Sequence, residues 1–162
     1  MGRRYTEGIA LPYVGQTAVR RIDCLPAGLD DVRAEAIAEG YRFVERLSND
    51  WEANAERFRR DGAALLAAYV RRTLAAIGGI TLDPVVADAL RMRRFYVRRS
   101  FRGQGVGRRL VDALLENSRR PGRIAMVNAA SGSSPFWEAV GFVPDARDGH
   151  THILLPSRPG AS

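Results

Sequence analysis

The segment Arg102-Gly103-Gln104-Gly105-Val106-Gly107-Arg108 places nearly bare backbone between two cations. It follows the β-favouring triplet Phe95-Tyr96-Val97 and leads into the stretch 106–115, where apolar side chains recur at helical spacing. Amides at the start of a helix lack intrahelical acceptors, and the helix dipole adds about half a positive charge there. Glycine permits close approach of a ligand, and arginine binds phosphate oxygens. The segment therefore predicts a pyrophosphate site.

Other glycine-rich phosphate motifs do not fit this spacing. A dinucleotide fingerprint requires glycine or alanine where the chain has Arg108, and a P-loop requires a lysine. A glycine-rich turn that binds nothing is the alternative when the loop is considered alone.

All 25 basic residues are arginine, and the net charge is +7. The absence of lysine excludes a Schiff-base or general-base lysine, while the positive charge favours an anionic partner. The arginines are scattered in pairs through both halves of the chain, without a basic block interleaved with aromatic residues. Nucleic acid is therefore an unlikely partner.

The 162 residues predict one domain, 1–162, with flexible tails at 1–8 and 156–162. The apolar stretches are much shorter than the roughly 20 residues that cross a bilayer, so no membrane association is expected. Cys24 is the single cysteine, and the two histidines have no cysteine or carboxylate cluster near them in the sequence. We expect a cytoplasmic protein without a metal, and the lysine-free, arginine-rich composition suggests a bacterial source.

The pattern alternates strands and helices around this loop. The first half predicts a strand at Thr17–Ile22 and a helix that follows Asp30-Asp31 and continues to Leu47. A short helix, capped by Asn49 or Asp50, then runs through Phe58. Two strands follow at Ala63–Val70 and Leu74–Leu82, the second with a break at Gly78-Gly79. The second half predicts a strand at Arg91–Arg98, the glycine loop and its helix, a strand at Arg123–Asn128, a helix at Ser134–Ala139 and a strand at His150–Leu155.

Three features of the second half together resemble the GNAT superfamily of N-acetyltransferases. Arg102, Gly105 and Gly107 match its cofactor loop, which reads Arg or Gln, two residues, Gly, one residue, Gly or Ala. Phe95-Tyr96-Val97 resembles the family's fourth strand, and Ser134 to Phe142 resembles its late helix followed by Gly-Phe. The resemblance is closest over Arg91 to Phe142.

The resemblance implies an α/β (α+β) fold with a mixed, mostly antiparallel, splayed sheet of about six or seven strands flanked by about four helices. It further implies acetyl-CoA as co-substrate, with the pantetheine arm between the fourth and fifth strands near Val97, and direct transfer to a small-molecule or peptide amine in a ternary complex. A homodimer is possible. The implied cofactor-binding residues are Phe95, Tyr96, Val97, Arg102, Gly103, Gln104, Gly105, Val106, Gly107, Arg108, Asn128, Ser133, Phe136 and Trp137.

Two departures from the family pattern concern proton transfer. Trp137 stands where relatives often carry a tyrosine that serves as the acid, and the fourth strand offers Arg91, Arg93 and Arg94 where relatives often carry a carboxylate. An alternative function is therefore a non-catalytic module that binds acyl-CoA.

Several side chains could substitute for the missing acid and base. Ser134, Tyr96 and His152 are the candidate catalytic residues, although His152 could equally be a buried histidine bonded across the sheet. The carboxylates Glu39, Glu45, Asp50 and Glu52 of the first two helices could reach an acceptor amine or could simply be solvated.

Overall fold

A computed structural model describes residues 16–118 and 122–156. One seven-stranded sheet has the order β1-β2-β3-β4-β5-β7-β6, and every neighbouring pair is antiparallel except β4 with β5. The strands are β1 Thr17–Arg21, β2 Ala64–Val70, β3 Thr73–Leu82, β4 Leu90–Val97, β5 Ala125–Val127, β6 Val143–Arg147 and β7 His150–Leu154. The helices are α1 Leu29–Ala38, α2 Phe43–Glu52, α3 Val106–Ser118 and α4 Ser134–Ala139, with a 3₁₀ turn at Arg99–Phe101.

This architecture confirms the predicted mixed, mostly antiparallel sheet. Segment 1–8 and all of 156–162 except the exposed Pro156 lie outside the described residues. Within the described ranges, no helix has both the length and the hydropathy of a membrane span. The same ranges contain no group of three His, Cys, Asp or Glu side chains arranged to hold a metal.

Helices cover both faces of the sheet. Leu65 and Ala67 of β2 pack with α1 and α2, whereas Leu66 and Ala68 belong to the cluster that includes α3. Because both faces are buried, β2 is an almost continuous apolar run and not an alternating one.

Gly78 and Gly79 do not break β3, so that prediction is wrong. A Cβ at Gly78 would lie 2.7 Å from Phe95 Cδ2, and one at Gly79 would lie 2.4 Å from Phe58 Cε1. The glycines therefore make room for one aromatic ring on each face of the strand.

The helix predicted to run from Val32 to Leu47 is in fact two helices. Gly40 adopts φ 90°, Gly40 N–H donates to Ile37 O at 2.9 Å, and Tyr41 N–H donates to Ala36 O at 2.9 Å. This pattern is a Schellman motif, which ends α1 and turns the chain into α2. The second helix accordingly begins at Phe43, not at Asn49, and ends at Glu52 before Phe58.

A β-bulge in β4 opens the sheet. The β3–β4 register passes from Gly79↔Arg93 to Ile77↔Tyr96, which leaves one extra residue in β4, and Arg94 in this stretch has φ 53°. A bulge bends its strand. Beyond it β4 diverges from β5, and the two strands pair only at Leu90↔Ala125 and Arg91↔Met126.

Strand β6 was not predicted. Its residues are largely exposed and include Pro144, so they lack the apolar alternation that marks a strand. Strand β5 is also shorter than the predicted Arg123–Asn128.

Candidate active site

The gap between β4 and β5 continues into a cavity of about 700 Å³. Its walls come from β4, the glycine loop, α4 and the α1–α2 connection. Most of the predicted cofactor residues line it: Phe95, Tyr96, Val97, Arg102, Gly103, Gly105, Gly107, Arg108, Asn128, Ser133, Phe136 and Trp137. Gln104 instead donates to Ser100 O at 3.2 Å, and Val106 is buried in the core, so neither belongs to the wall.

The glycine loop presents its backbone at the amino-terminal end of α3. Gly103 has φ 76° and Gly105 has φ 82°, a conformation that glycine adopts without strain. Arg109 N–H donates to Gly105 O at 3.0 Å, so the amides from Val106 to Arg108 have no acceptor one turn back. A Cβ at Gly103 would meet nothing within 4 Å. This end of the cavity therefore has the form of an anion-binding helix terminus.

Gly107 has a packing role. A Cβ there would lie 2.7 Å from Phe136 Cε1 and 3.3 Å from Val97 Cγ2, both of which belong to the protein wall. This glycine lets α3 approach α4 closely, whereas Gly103 and Gly105 shape the open loop.

The two arginines of the loop are engaged by the protein. Arg102 Nε donates to Val97 O at 3.0 Å, and its two terminal nitrogens donate to Glu39 at 2.9 and 2.6 Å. Arg108 Nη2 donates to Ala139 O at 2.7 Å. We expected both side chains to contact phosphate, but these bonds tie the loop to β4, to α4 and to the segment after α1. The surface that remains for a phosphate to contact is mainly backbone.

An aromatic cluster forms the apolar wall of the cavity. The ring of Trp137 has its centroid 4.9 Å from that of Phe95, 5.0 Å from that of Phe136 and 5.2 Å from that of Phe142. Trp137 is only 3% exposed. Its indole is therefore a packing element, and it supplies no acid.

Tyr96, Glu39 and Arg102 form a connected group beside the cavity. The buried Tyr96 hydroxyl donates to Glu39 Oε1, and the guanidinium carbon of Arg102 lies 5.5 Å from the centre of the Tyr96 ring. Burial raises the pKa of Tyr96, and the hydrogen bond with Glu39 raises it further, so the phenol keeps its proton at neutral pH. The hydrogen bonds from Arg102 lower the pKa of Glu39, an effect that burial opposes only in part. Glu39 is thus an anion held between two donors.

Alternate residues at the end of β4 and just after it are joined to carboxylates of α1, of α2 and of the residue that follows α1. Arg94 Nη2 donates to Asp50 Oδ2 at 2.8 Å, Tyr96 donates to Glu39, and Arg98 pairs with Glu35. Glu45 pairs with Arg42 at the surface, and Glu52 is exposed. The acids that we considered for an acceptor amine therefore hold β4 against α1 and α2, or lie in solvent.

A family model described as the acetyltransferase (GNAT) domain matches residues 29–152. The chain belongs to this family. The match confirms the resemblance inferred from the glycine loop and the late helix, and it supports acyl-CoA-dependent acetyl transfer as the general activity. No curated protein matches the chain.

Solved structures of GNAT proteins share the fold. A proposed acetyltransferase from Exiguobacterium sp. 255-15 aligns over 86% of this chain and 93% of its own, with 22% identity and a TM-score of 0.77. Ard1 from Thermoplasma volcanium aligns over 88% and 99%, with 18% identity and a TM-score of 0.63. Glucosamine-6-phosphate N-acetyltransferase from Arabidopsis thaliana aligns over 82% and 95%, with 16% identity and a TM-score of 0.53. At these identities the likeness establishes the fold alone.

The three candidate catalytic residues of this GNAT chain lie in different surroundings. Tyr96 lines the cavity, whereas neither Ser134 nor His152 does. His152 is buried, with Nε2 3.0 Å from Glu138 Oε2 and Nδ1 2.8 Å from Thr151 Oγ1. His152 is thus buried as the structural alternative required, but its partners are its strand neighbour Thr151 and Glu138 of α4, and not a residue across the sheet. The neighbour of Ser134, Ser133, does line the cavity, and its hydroxyl donates to Ala130 O at 2.7 Å.

Sequence reasoning missed the link between Arg102 and Glu39, which are 63 residues apart. Glu35 and Glu39 are four residues apart, and residues at that spacing lie on the same face of a helix. This spacing could have indicated an acidic face that pairs with arginines.

Proposed function

We propose that this protein transfers the acetyl group of acetyl-CoA to an amine acceptor by direct attack in a ternary complex. The observation that carries the proposal is one continuous cavity that begins at the bare amides of α3 and follows the diverging edge of β4 to its arginine-rich part. A cofactor with a pyrophosphate at one end and a thioester at the other matches this order of surfaces.

The assignment of residues follows the chemistry of each wall. The backbone from Gly103 to Arg108 receives the pyrophosphate, because unpaired amides and the helix dipole favour anions. The arm of the cofactor lies along the β4 edge near Val97, and Phe95, Phe136 and Trp137 exclude water from it. Asn128 and Ser133 supply polar contacts on the opposite side of the cleft.

The reaction forms a carbon–nitrogen bond and breaks a carbon–sulfur bond. The amine loses a proton, the departing thiolate gains one, and most of the acceleration comes from positioning the two reactants. We assign the protonation of the thiolate to Tyr96, the candidate catalytic side chain that lines the cavity, and the proton that the amine loses restores the phenol. Its partner Glu39 holds the phenol in place.

Calorimetry with coenzyme A, combined with thiol release from acetyl-CoA in the presence of amino acids, polyamines, aminoglycosides and peptides, tests this function. We expect saturable binding of coenzyme A and release above the background rate with at least one amine. Tyr96→Phe should retain coenzyme A affinity and lose about 10²-fold or more in kcat, the lower range for a positioned acid.

The outcomes separate the two functions that the sequence left open. Binding without amine-dependent release by any acceptor would favour the non-catalytic acyl-CoA module, which the buried Trp137 and the paired carboxylates make a real alternative. No binding of coenzyme A by the folded protein would exclude both.

A further inference from the structure

Four arginines, Arg46, Arg91, Arg93 and Arg94, line the part of the cavity away from the glycine loop. Two of them are neutralised by the protein. Arg91 Nε donates to Asp83 Oδ1 at 2.5 Å and Nη1 to Gly149 O at 2.7 Å, and Arg94 pairs with Asp50 at 2.8 Å.

Arg93 is different. It is half-buried, and its one side-chain hydrogen bond within the described residues is a long one, 3.4 Å from Nη1 to Thr81 Oγ1. No carboxylate in the described ranges lies within ion-pair distance of it: Asp50 is bound to Arg94, and Glu56 accepts the Phe58 amide at 2.7 Å. Arg46 on α2 likewise has no ion pair in the part of the chain that the structure describes.

A half-buried guanidinium without an anion is costly. Burial lowers the pKa of Arg93, and the charge of Arg94 lowers it further. The carboxylates of Glu56 and Asp50, which lie beyond ion-pair distance, oppose this only in part, so the environment disfavours the cation. Proteins keep buried charges mainly where a partner or a ligand compensates them. Arg91 and Arg94 have their own carboxylates, whereas Arg93 has none within the described residues, so a ligand is the remaining source of a compensating anion.

We propose that Arg93, assisted by Arg46, binds a carboxylate or phosphate group of the acceptor, so that the acceptor class is an amine that carries an anionic group. This inference rests on the proposed function and specifies its substrate. A guanidinium presents paired donors that suit both anions. Tyr41 and Phe43, whose stacked rings lie 5.1 Å apart, line the same part of the cavity and would contact the body of the acceptor.

Matched amines that differ only in the anionic group test the proposal. O-phosphoethanolamine is compared with ethanolamine, and β-alanine with β-alaninamide, by kcat/KM at saturating acetyl-CoA. We expect the protein to favour the anionic member of at least one pair by about tenfold or more, the effect of a hydrogen-bonded charge. The pair with the larger ratio identifies phosphate or carboxylate.

Arg93→Gln should abolish most of this preference and change the rate with the neutral amine by less than about threefold. The two amines of a pair differ in basicity, but that difference is the same for both proteins, so the change in the ratio reports Arg93 alone. Arg33→Gln is the matched control, because it removes an arginine that does not line the cavity. Since Arg93 has no carboxylate partner to lose, Arg93→Gln should keep or raise the melting temperature.

Failure of this inference is distinguishable from failure of the proposed function. Turnover of neutral and anionic amines at equal kcat/KM would overturn the anion site and leave the transferase. If no amine in the set is acetylated, calorimetry with protein saturated with coenzyme A decides. Tighter binding of O-phosphoethanolamine or β-alanine than of its neutral partner, lost in Arg93→Gln, supports the site, and equal binding in both pairs overturns it.

Discussion

The two ends of the cavity are built from different parts of the polypeptide. The half that we assign to the cofactor, the cofactor half, comprises residues 102–108 with Val97 and Phe136. It presents backbone, and its shape depends on glycines at φ 76° and 82°. The half that we assign to the acceptor, the acceptor half, comprises residues 39–50, in α2 and the segment before it, and residues 91–94 of β4. It presents charged and aromatic side chains, and some of the charges are paired within the protein, as Arg94 is with Asp50 and Glu39 is with Arg102. The first half therefore offers a ligand the space left by absent side chains, whereas a ligand in the second half would have to compete with or complete existing ion pairs.

The halves are joined by Arg102. Its backbone belongs to the glycine loop, while its guanidinium lies on Glu39 after α1 and on the carbonyl of Val97 in β4. Arg102 therefore ties the position of Glu39 to that of the loop that we assign to the pyrophosphate. Arg102 therefore has a structural role, although its charge would also suit a phosphate.

Among these variants, Gly105→Glu is expected to have the largest effect on ligand binding in the cofactor half. The substitution places a side chain and a negative charge beside the amides of α3, and it forces a non-glycine residue into φ 82°. We expect coenzyme A affinity to fall about 100-fold or more, measured by calorimetry.

Gly122→Glu is the matched control for this substitution. Gly122 has φ 88°, would have nothing within 4 Å of a Cβ, and lies beyond the other end of α3. Both variants should lose about 1 to 2 kcal/mol of stability from the backbone alone. Equal coenzyme A affinity in the two folded variants would show that the loop is not the phosphate seat.

Gly107→Ala should give the opposite result within the same loop. Its new methyl group would lie 2.7 Å from Phe136 Cε1, so the protein and not the ligand receives the clash. Overpacking costs about 1 to 3 kcal/mol, from which the better helix propensity of alanine recovers up to about 1 kcal/mol. We expect a net loss of about 1 to 2 kcal/mol in the free energy of unfolding by urea denaturation, with coenzyme A affinity within about threefold of wild type.

Shortening the opposing side chain checks the cause. The double variant Gly107→Ala with Phe136→Leu should be destabilised by less than the sum of its two single variants, since the leucine no longer reaches the methyl group. Strictly additive losses of unfolding free energy would contradict the packing role of Gly107. A large loss of coenzyme A affinity in Gly107→Ala would show that this glycine contacts the ligand.

The same contrast explains what could be predicted from the sequence. The cofactor half is local: a strand, a turn and a helix start lie within 97–107, so their order and their glycines identify it directly. The acceptor half and the segments beside it are joined by pairs 44 to 63 positions apart, such as Asp50 with Arg94 and Glu35 with Arg98. A single sequence with 25 arginines offers many equivalent partners for each acid, so the pairs could not be chosen.

The errors in the fold have similar causes. The pair Gly78-Gly79 predicted a break because the rings of Phe95 and Phe58 that require glycine come from distant parts of the chain. Gly40 lies inside the helix that was predicted to continue to Leu47, although glycine is also the usual residue of a helix terminus. Strand β6 is held by its pairing with β7 and not by an apolar pattern of its own.

The smallest expected effect concerns the link between the halves and its pH dependence. Glu39→Gln removes the charge that Arg102 and Tyr96 share, and because Arg102 is 41% exposed we expect a loss of only about 1 kcal/mol at pH 7. The pKa of Glu39 is lowered on folding, so its stabilisation is complete above the unfolded value of 4.5 and disappears as the pH falls through the folded pKa. The difference in unfolding free energy between wild type and Glu39→Gln, measured by urea denaturation, should therefore shrink below that pH, because the amide does not titrate.

Glu45→Gln is the control, because it breaks a pair between more exposed side chains at the start of α2. It should change the free energy of unfolding by less than about 0.5 kcal/mol at every pH. A difference for Glu39→Gln that stays constant through the acid range would mean that Glu39 joins the halves by its shape and hydrogen bonds, and not by its charge.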